Sequence, residues 1–210
     1  MSSNELQRTL QSLQRKLEED SPEAVRQVYD SWAETYDDDL ATLGYVAPQQ
    51  AAALLAELRP NRDGFILDAG CGTGLVGHYL QQAGYTRLHG SDYSLDMLAE
   101  AQKTGHYEWV GIVDMTQPFP LMSDFYAAAL CVGVLGPRLS ALPMIPELMR
   151  VLQPGGLLLV VIREQWYEER LQMTVEQLVA EGRVTVVQDV IQPYFMSGAV
   201  NGRYIALGRQ

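Results

Sequence analysis

A buried strand, an acid and a glycine-rich turn follow one another about a third of the way along the chain. The apolar segment 65–67 leads into Asp68, and three glycines spaced two residues apart come next, Gly70, Gly72 and Gly74. Glycine tolerates positive φ and lets backbone amides approach a ligand closely, while the helix expected after this turn aims unpaired N–H groups at the same place. The pattern therefore predicts a pocket for a small ligand.

Two kinds of ligand compete for this pocket. Residues 72–77 match G-x-G-x-x-G, the fingerprint of a dinucleotide site. Asp68 argues against a dinucleotide because its carboxylate would repel the pyrophosphate, whereas it would attract the ammonium and sulfonium of S-adenosylmethionine. In a purely structural interpretation the glycines form a tight turn and Asp68 caps the helix. The acid favours the cationic ligand, and residues 65–74 resemble motif I of the class I S-adenosylmethionine-dependent methyltransferases.

Two further acids follow predicted strands. Asp92 ends the segment 87–92, about twenty residues beyond the glycines, where a nucleoside ribose would lie. We expect its carboxylate to accept hydrogen bonds from both ribose hydroxyls. The alternative is an N-cap for the helix 94–103, a position that Ser94 fills equally well. For Asp114, after the third strand, the resemblance implies a bond to the adenine amino group, and a solvated loop acid is the alternative.

The candidate cofactor-binding residues lie in the glycine turn, at the ends of neighbouring strands and in an aromatic helix near the N-terminus. They are Trp32, Tyr36, Asp68, Gly70, Cys71, Gly72, Gly74, Asp92, Tyr93, Asp114, Met115 and Val132. Both cysteines are interpreted as packing residues because neither has an evident base. Glu164, His106 and Tyr194 are conceivable bases, but the sequence designates no catalytic residue. No ligand-spaced acids or histidines indicate a metal.

The N-terminal region is predicted to form a helical cap. Leucines at positions 6, 10, 13 and 17 form an apolar stripe, which favours a docking helix over a coiled-coil dimer. Ser21 and Pro22 are typical of an N-cap and a first helical position, and the helix should continue through Tyr36. The aromatic residues Tyr29, Trp32, Tyr36 and Tyr45 could close the cofactor pocket by cation–π attraction or could simply pack in the core.

The remaining segments alternate between apolar strands and helices, which indicates an α/β fold. Residues 124–134 form a fourth strand, a Pro-Gly-Gly turn at 154–156 leads into a fifth, and a helix at 166–181 precedes strands at 184–191 and 203–208. The resemblance implies a Rossmann-like, doubly wound, seven-stranded sheet in the order 3-2-1-4-5-7-6 with the last strand antiparallel. Its acceptor pocket would be rimmed by Trp166, Tyr167, Tyr194 and Phe195. We expect one domain, with a cap at 1–59 and a core at 60–210.

The net charge of the chain limits the classes of methyl acceptor that are expected. The 210 residues include 26 acids and 15 bases, a net charge of −11, without a basic cluster. Long-range electrostatics would oppose the approach of a polyanion, so nucleic acid is not expected as a partner. A small-molecule acceptor is expected instead. The chain has no apolar run long enough for a membrane span and no secretory leader, so a cytoplasmic protein is expected. It should be a monomer or a weak homodimer through the N-terminal helix.

The resemblance extends to a subgroup. Residues 28–37, 43–48, 66–74 and 145–156 are similar to the Williams-Beuren syndrome chromosome region 27 protein-like methyltransferases. This implies S-adenosylmethionine as the methyl donor, converted to S-adenosylhomocysteine by in-line transfer, and it leaves the acceptor open. Two alternatives stand beside it: a protein that binds these sulfur cofactors without turnover, and an NAD(P)-dependent oxidoreductase.

Overall fold

The N-terminal helices come first in the computed structural model, which describes residues 22–136 and 141–210. They are α1 (Pro22–Trp32), α2 (Tyr36–Leu43) and α3 (Ala47–Leu58). Pro22 opens α1 because its fixed φ suits the first helical turn, where its missing N–H costs nothing. The leucine stripe and Ser21 lie outside the described residues.

The prediction of one helix running through Tyr36 was wrong. Helix α1 ends at Trp32, and the amide of Thr35 donates to the Trp32 carbonyl over 3.1 Å to form a turn. Three consecutive acids, residues 37–39, then occupy the first turn of α2. Carboxylates stabilise the positive end of a helix dipole, which explains why a new helix begins here. The aromatic residues consequently lie on two helices.

The sheet has the predicted strand order, 3-2-1-4-5-7-6. Its elements, in chain order, are β1 (Ile66–Ala69), α4 (Leu75–Gln82), β2 (Leu88–Asp92), α5 (Leu95–Lys103), β3 (Trp109–Ile112), β4 (Tyr126–Val132), α6 (Ala141–Val151), β5 (Leu152–Arg163), α7 (Glu164–Tyr167), α8 (Met173–Ala180), β6 (Val184–Pro193) and β7 (Asn201–Arg209). A π-helical turn, Glu168–Gln172, joins α7 to α8. Strands β1 to β5 are parallel, and β7 is antiparallel to both β5 and β6.

The Pro-Gly-Gly segment lies within β5 rather than before it. Tyr126 pairs with Leu152 and Ala128 with Leu157, so the pairing of β4 with β5 shifts across the intervening residues. Gly155 adopts φ 74°, which glycine accommodates without strain. The turn therefore appears as an irregularity inside one long strand that continues to Arg163.

Both faces of the sheet are covered, which explains its apolar central strands. Every residue of β4 is buried. One apolar cluster joins the sheet to α3 and α4, and a second joins it to α6 and α8. Parallel strands with two covered faces read as continuous apolar runs. The polar residues that could bind a ligand are therefore confined to the carboxyl edge of the sheet, where the strands end.

Candidate functional site

The glycine turn after β1 has the backbone that its sequence predicts. Gly70, Gly72 and Gly74 adopt φ values of 76°, 53° and 103°. A Cβ on Gly70 would collide with Val134, whereas a Cβ on Gly72 would meet nothing within 4 Å. Gly74 is the N-cap of α4 and makes no side-chain capping bond. Gly72 is therefore the point of the turn that a ligand can approach.

Asp92 is bonded to this turn. Its Oδ2 accepts a hydrogen bond from the Gly72 amide over 2.9 Å, and its Oδ1 accepts one from the Ser94 amide over 2.9 Å. Burial raises the pKa of Asp92, and these backbone donors oppose the rise. The Oγ of Ser94 accepts from the Met97 amide over 3.1 Å, so Ser94 caps α5. Each Asp92 oxygen keeps a lone pair for a ligand.

Asp68 is almost fully buried, with 1% of its surface exposed. The Tyr107 hydroxyl donates to its Oδ2 over 2.7 Å, while its Oδ1 has no hydrogen-bond partner within the described residues. Burial raises the pKa of Asp68 to about 7, the bond from Tyr107 lowers it and the charge of Asp92 raises it further. An orphaned buried oxygen costs free energy unless a donor or a cation completes it. The site therefore fits a cationic ligand.

Tyr107 is a site residue that sequence reasoning missed. Its hydroxyl also accepts a hydrogen bond from the Gly77 amide over 3.1 Å. A Cβ on Gly77 would collide with the Tyr107 ring. Gly77 is the last glycine of the match to the dinucleotide fingerprint. Its lack of a side chain makes room for the Tyr107 ring, which accounts for this glycine without a bound pyrophosphate. No local pattern around Tyr107 signals this role, since the partners are about 30 and 40 residues away in the chain.

Two acids of the N-terminal helices reach the strand ends. The Thr73 hydroxyl, in the glycine turn, donates to Asp37 of α2 over 2.5 Å. The Ser94 hydroxyl, after β2, donates to Asp30 of α1 over 2.5 Å. Sequence reasoning assigned neither acid to the site, because helical acids are normally solvated. These bonds hold α1 and α2 across the openings of the two loops.

The aromatic residues of α1 and α2 form one cluster beside the site. The ring of Trp32 lies 6.3 Å from that of Tyr29 and 4.6 Å from that of Tyr36. The Trp32 indole donates to Asp39 over 2.7 Å. Burial raises the pKa of Tyr29 and of Tyr36, and the charge of Asp92 contributes to both increases. The charge of Asp92 thus acts on both tyrosines of this cluster, and Trp32 packs against each of them.

The remaining predicted cofactor residues lie around the same edge. Asp114 Oδ1 accepts from the amide of Thr116 over 2.9 Å and from its hydroxyl over 2.6 Å. Met115 and Val132 are buried, and the Met115 side chain lies against the Gly70 turn. Cys71 is buried and packs against α5, and burial raises its pKa, so the thiol is not a nucleophile. The ring of Tyr93 lies 5.8 Å from the Arg26 guanidinium of α1.

A second cluster lies beyond β4, on the side where the resemblance puts the acceptor. The hydroxyls of Tyr45 and Tyr194 are 3.3 Å apart. A Cβ on Gly133, directly after β4, would lie 2.8 Å from both phenolic oxygens. The segment around Tyr194 is held to the start of α3, since the Val46 amide donates to the Tyr194 carbonyl over 3.2 Å. Gly133 thereby makes room for two hydroxyls at the reactive edge.

The residues proposed to rim the acceptor pocket divide into two groups. Trp166, Tyr194 and Phe195 surround the guanidinium of Arg163, at ring-centroid distances of 4.9, 5.5 and 5.9 Å. Tyr167 instead packs in the core and is covered by Arg203. The sequence did not predict Arg163 as a site residue. Its one sequence signal is that a cationic residue follows the apolar residues of a predicted strand.

The conceivable bases are not brought together. His106 Nδ1 lies 2.8 Å from Gln81, near the last turn of α4. Seven residues of helix separate Gln81 from Gly74, a rise of about 10 Å. His106 is therefore remote from the reactive edge. Glu164 is exposed at the start of α7, whereas Tyr194 lies at Gly133. Among residues 22–136 and 141–210, no three His, Cys, Asp or Glu side chains form a metal-binding group.

Comparison with known proteins agrees with this geometry. Residues 66–156 match the family model of a methyltransferase domain. The human protein named methyltransferase-like protein 27 is 38% identical over an aligned stretch of 161 residues, and the match covers 73% of this chain and 65% of that protein. The chain therefore spans slightly less than two thirds of this relative's length.

Two solved structures have the same fold. Magnesium protoporphyrin IX methyltransferase from Synechocystis PCC 6803, with bound S-adenosylmethionine, superposes with a TM-score of 0.64 at 20% identity, covering 87% of this chain and 95% of its own. The [4+2]-cyclase SpnF superposes with a TM-score of 0.66 at 16% identity, covering 89% and 95%. At these identities the similarity establishes the fold alone. In the described part of the chain, no helix has the length and hydropathy of a membrane span.

Proposed function

Because the chain belongs to the class I S-adenosylmethionine-dependent methyltransferases, we propose that it transfers a methyl group from S-adenosylmethionine to a small-molecule acceptor. The observation that carries this proposal is the negative pocket at the glycine turn. Asp68 has a buried oxygen without a hydrogen-bond partner in the described residues, and Asp92 is fixed to Gly72. Such a pocket suits a cationic nucleoside better than a pyrophosphate.

The chain's own residues would divide the binding between them. The open face of Gly72 would admit the ligand, and the free lone pairs of Asp92 would accept from the ribose hydroxyls. Asp114, whose Oδ1 is already bonded to Thr116, would hold the adenine amino group through its other oxygen. Trp32 and Tyr36 would close the pocket with ring faces that attract a cation. When bound, S-adenosylmethionine supplies a methyl group already activated by the sulfonium.

Positioning would provide most of the rate acceleration. The displacement is in line, so the protein needs to hold the acceptor atom collinear with the methyl and the sulfur, and it needs no covalent intermediate. Tyr45 and Tyr194 present their hydroxyls at Gly133, where an acceptor would lie beside the β4 end. Burial and the neighbouring phenols raise the pKa of Tyr45, so it stays protonated and donates to the Tyr194 hydroxyl, which leaves the Tyr194 O–H to donate a hydrogen bond to the acceptor.

A small acceptor is supported by enclosure and charge. Helices α1 and α2 are bonded across the loops after β1 and β2, which narrows access to the reactive edge. The net charge of −11 opposes polyanions. The cytoplasmic location, the monomeric or weakly dimeric state and the division into a cap and a core stay predictions.

Calorimetric titration tests the proposal directly. We expect one-to-one binding of S-adenosylmethionine and S-adenosylhomocysteine in the micromolar range or tighter, and no heat from NADPH in a parallel cell. Binding of NADPH alone would overturn the cofactor assignment in favour of an oxidoreductase. An acceptor screen that detects S-adenosylhomocysteine then follows, with the protein omitted from the control reactions.

One observation favours a second candidate, a protein that binds the sulfur cofactors without methyl transfer. Gly133, directly after β4, supplies no side chain that could act on an acceptor. The [4+2]-cyclase SpnF, which has a similar fold, shows that this architecture supports other activities. Binding of both sulfur cofactors together with no turnover across the acceptor screen would favour this candidate. Robust S-adenosylhomocysteine formation would exclude it.

A further inference from the structure

Arg163 is an unusual cation in this protein. It ends β5, pairs with Gly202 of β7 and is partly buried. Its guanidinium is surrounded by the rings of Trp166, Tyr194 and Phe195 within 5.9 Å. No hydrogen bond or ion pair joins its side chain to residues 22–136 or 141–210.

Other partly buried arginines in the described chain have hydrogen-bond partners, either acids or, for Arg59 and Arg62, backbone carbonyls. Arg150 is paired with Glu147 at 2.8 Å, and Arg203 is paired with Asp189 at 2.7 Å. A chain with 26 acids offers many such partners. Arg163 is held among aromatic rings instead, so its donors remain available to a ligand.

The position of Arg163 assigns it to the acceptor side. The Gly133 amide donates to the Val161 carbonyl over 3.1 Å, so the end of β5 adjoins the paired Tyr45 and Tyr194 hydroxyls. Strand β5 lies two strands from β1, about 10 Å away, on the side opposite to β2 and Asp92. Asp92 and Arg163 therefore lie on opposite sides of β1 and β4.

We propose that Arg163 binds a carboxylate of the methyl acceptor, an inference that rests on the proposed function. A guanidinium presents its N–H groups in one plane and matches a carboxylate with two parallel hydrogen bonds. The three rings around the guanidinium provide an apolar wall for the body of the acceptor. The acceptor is thus a small carboxylic acid with an apolar or aromatic skeleton.

The test uses matched pairs of ligands on the full chain saturated with S-adenosylhomocysteine. A library of small aromatic and aliphatic carboxylic acids is compared with the primary amides of the same skeletons by thermal shift, and hits are titrated by calorimetry. We expect acids that bind about tenfold or more tightly than their amides, and loss of that preference in Arg163→Gln. Arg163→Lys should retain part of it because the charge remains.

Arg87→Gln is the matched control. The Arg87 guanidinium also lies over a ring, 3.7 Å from that of Phe65, but it precedes β2 at the opposite edge of the sheet. Its replacement changes the net charge equally and should leave the preference for acids intact. Equal loss in both variants would mean a general charge effect and would overturn the proposal.

The remaining outcomes separate this inference from the proposed function. The affinity of Arg163→Gln for S-adenosylhomocysteine should equal that of the wild type; a tenfold loss would show that Arg163 holds the cofactor's own carboxylate and would overturn the inference. Binding without preference for acids, or no binding of any acid, would also overturn it. If the wild type does not bind S-adenosylhomocysteine, the proposed function fails, and the same comparison on the free protein still decides whether Arg163 recognises carboxylates.

Discussion

Asp68 shows how one residue links the fold to the proposed chemistry. Its carboxylate is buried with a single hydrogen bond from the described residues, donated by Tyr107, and its pKa is raised to about 7. A buried acid without a cation is most stable in its neutral form. The free protein therefore holds this group near its titration point, where a cationic ligand would favour the charged form.

The stability of the free protein should depend on this titration. The ordinary pKa of Asp68 is 3.8 and the folded value is about 7, so between these limits the folded state retains a proton that the unfolded chain has released. The contribution of Asp68 to the free energy of unfolding therefore falls as pH rises from about 4 to about 7, by an amount on the order of 1 kcal/mol or more. Urea unfolding at pH 5 and pH 8 measures it.

Asp68→Asn supplies the control for this pH dependence, because an amide cannot titrate. The fall in unfolding free energy between the two pH values should be smaller in the variant than in the wild type. An equal fall in both proteins would show that Asp68 does not titrate in this range. Asp92, whose pKa is also raised, contributes in the same direction in both proteins.

Asp92→Ala tests the second acid of the pocket. The change removes charged acceptors for the ribose hydroxyls, and we expect a loss of about 1.5 to 3 kcal/mol in cofactor binding free energy. Calorimetry with S-adenosylhomocysteine measures this loss. Asp63→Ala, an exposed acid before β1, is the control and should bind normally. Unchanged affinity in a folded Asp92→Ala protein would remove Asp92 from the site.

At the scale of elements, the two N-terminal helices are attached to the strand ends by acids. Asp37 joins α2 to Thr73, and Asp30 joins α1 to Ser94. The rings of Tyr29 and Tyr36, one on each helix, lie 6.4 Å apart at an interplanar angle of 55°. Removing one attachment should loosen a helix without altering the sheet.

Asp37→Ala should therefore increase the mobility of the N-terminal helices. We expect a loss of about 1 kcal/mol in stability and faster amide hydrogen exchange in residues 22–44, with little change in the strands. Asp38→Ala is the matched control, because it removes a neighbouring acid in the same helical turn. The Asp38 side chain is exposed and makes no hydrogen bond within the described residues. Equal exchange in the two variants would contradict a specific role for Asp37.

At the scale of the whole molecule, charge decides which partners approach. The net charge of −11 is combined with acids at the reactive edge, so the field near the site opposes anionic polymers while Arg163 offers one local cation. A small anion can reach that cation, whereas an anionic polymer is also repelled by the rest of the negatively charged surface.

We expect no measurable binding of nucleic acid. The measurement is fluorescence anisotropy with labelled single- and double-stranded DNA and RNA of about 20 nucleotides. The salt concentration is about 50 mM, because low salt strengthens electrostatic association with nucleic acid. A salt-sensitive dissociation constant of about 10 μM or tighter would contradict the assignment of a small-molecule acceptor. A basic nucleic-acid-binding domain in the same buffer serves as the positive control.

The sequence predicted the cofactor half of the molecule because its signals are local. The glycine turn, the acids that end β1 and β2, and the alternation of apolar strands with helices depend on neighbours in the chain, and the strand order was confirmed. The single helix through Tyr36 was wrong because helical periodicity in the aromatic residues does not reveal three acids starting a new helix.

Contacts between distant residues were decided only by the tertiary structure. Tyr107 completes Asp68, two helical acids reach Thr73 and Ser94, and the Tyr194 hydroxyl meets that of Tyr45 across 149 positions. Such pairs leave no periodic signal, because their geometry depends on how the helices pack on the sheet. The sequence by itself determined the alternation of strands with helices and which ligand charge suits the glycine turn. Folding decided which side chains meet there, including an arginine that aromatic rings hold free of any acidic partner in the described chain.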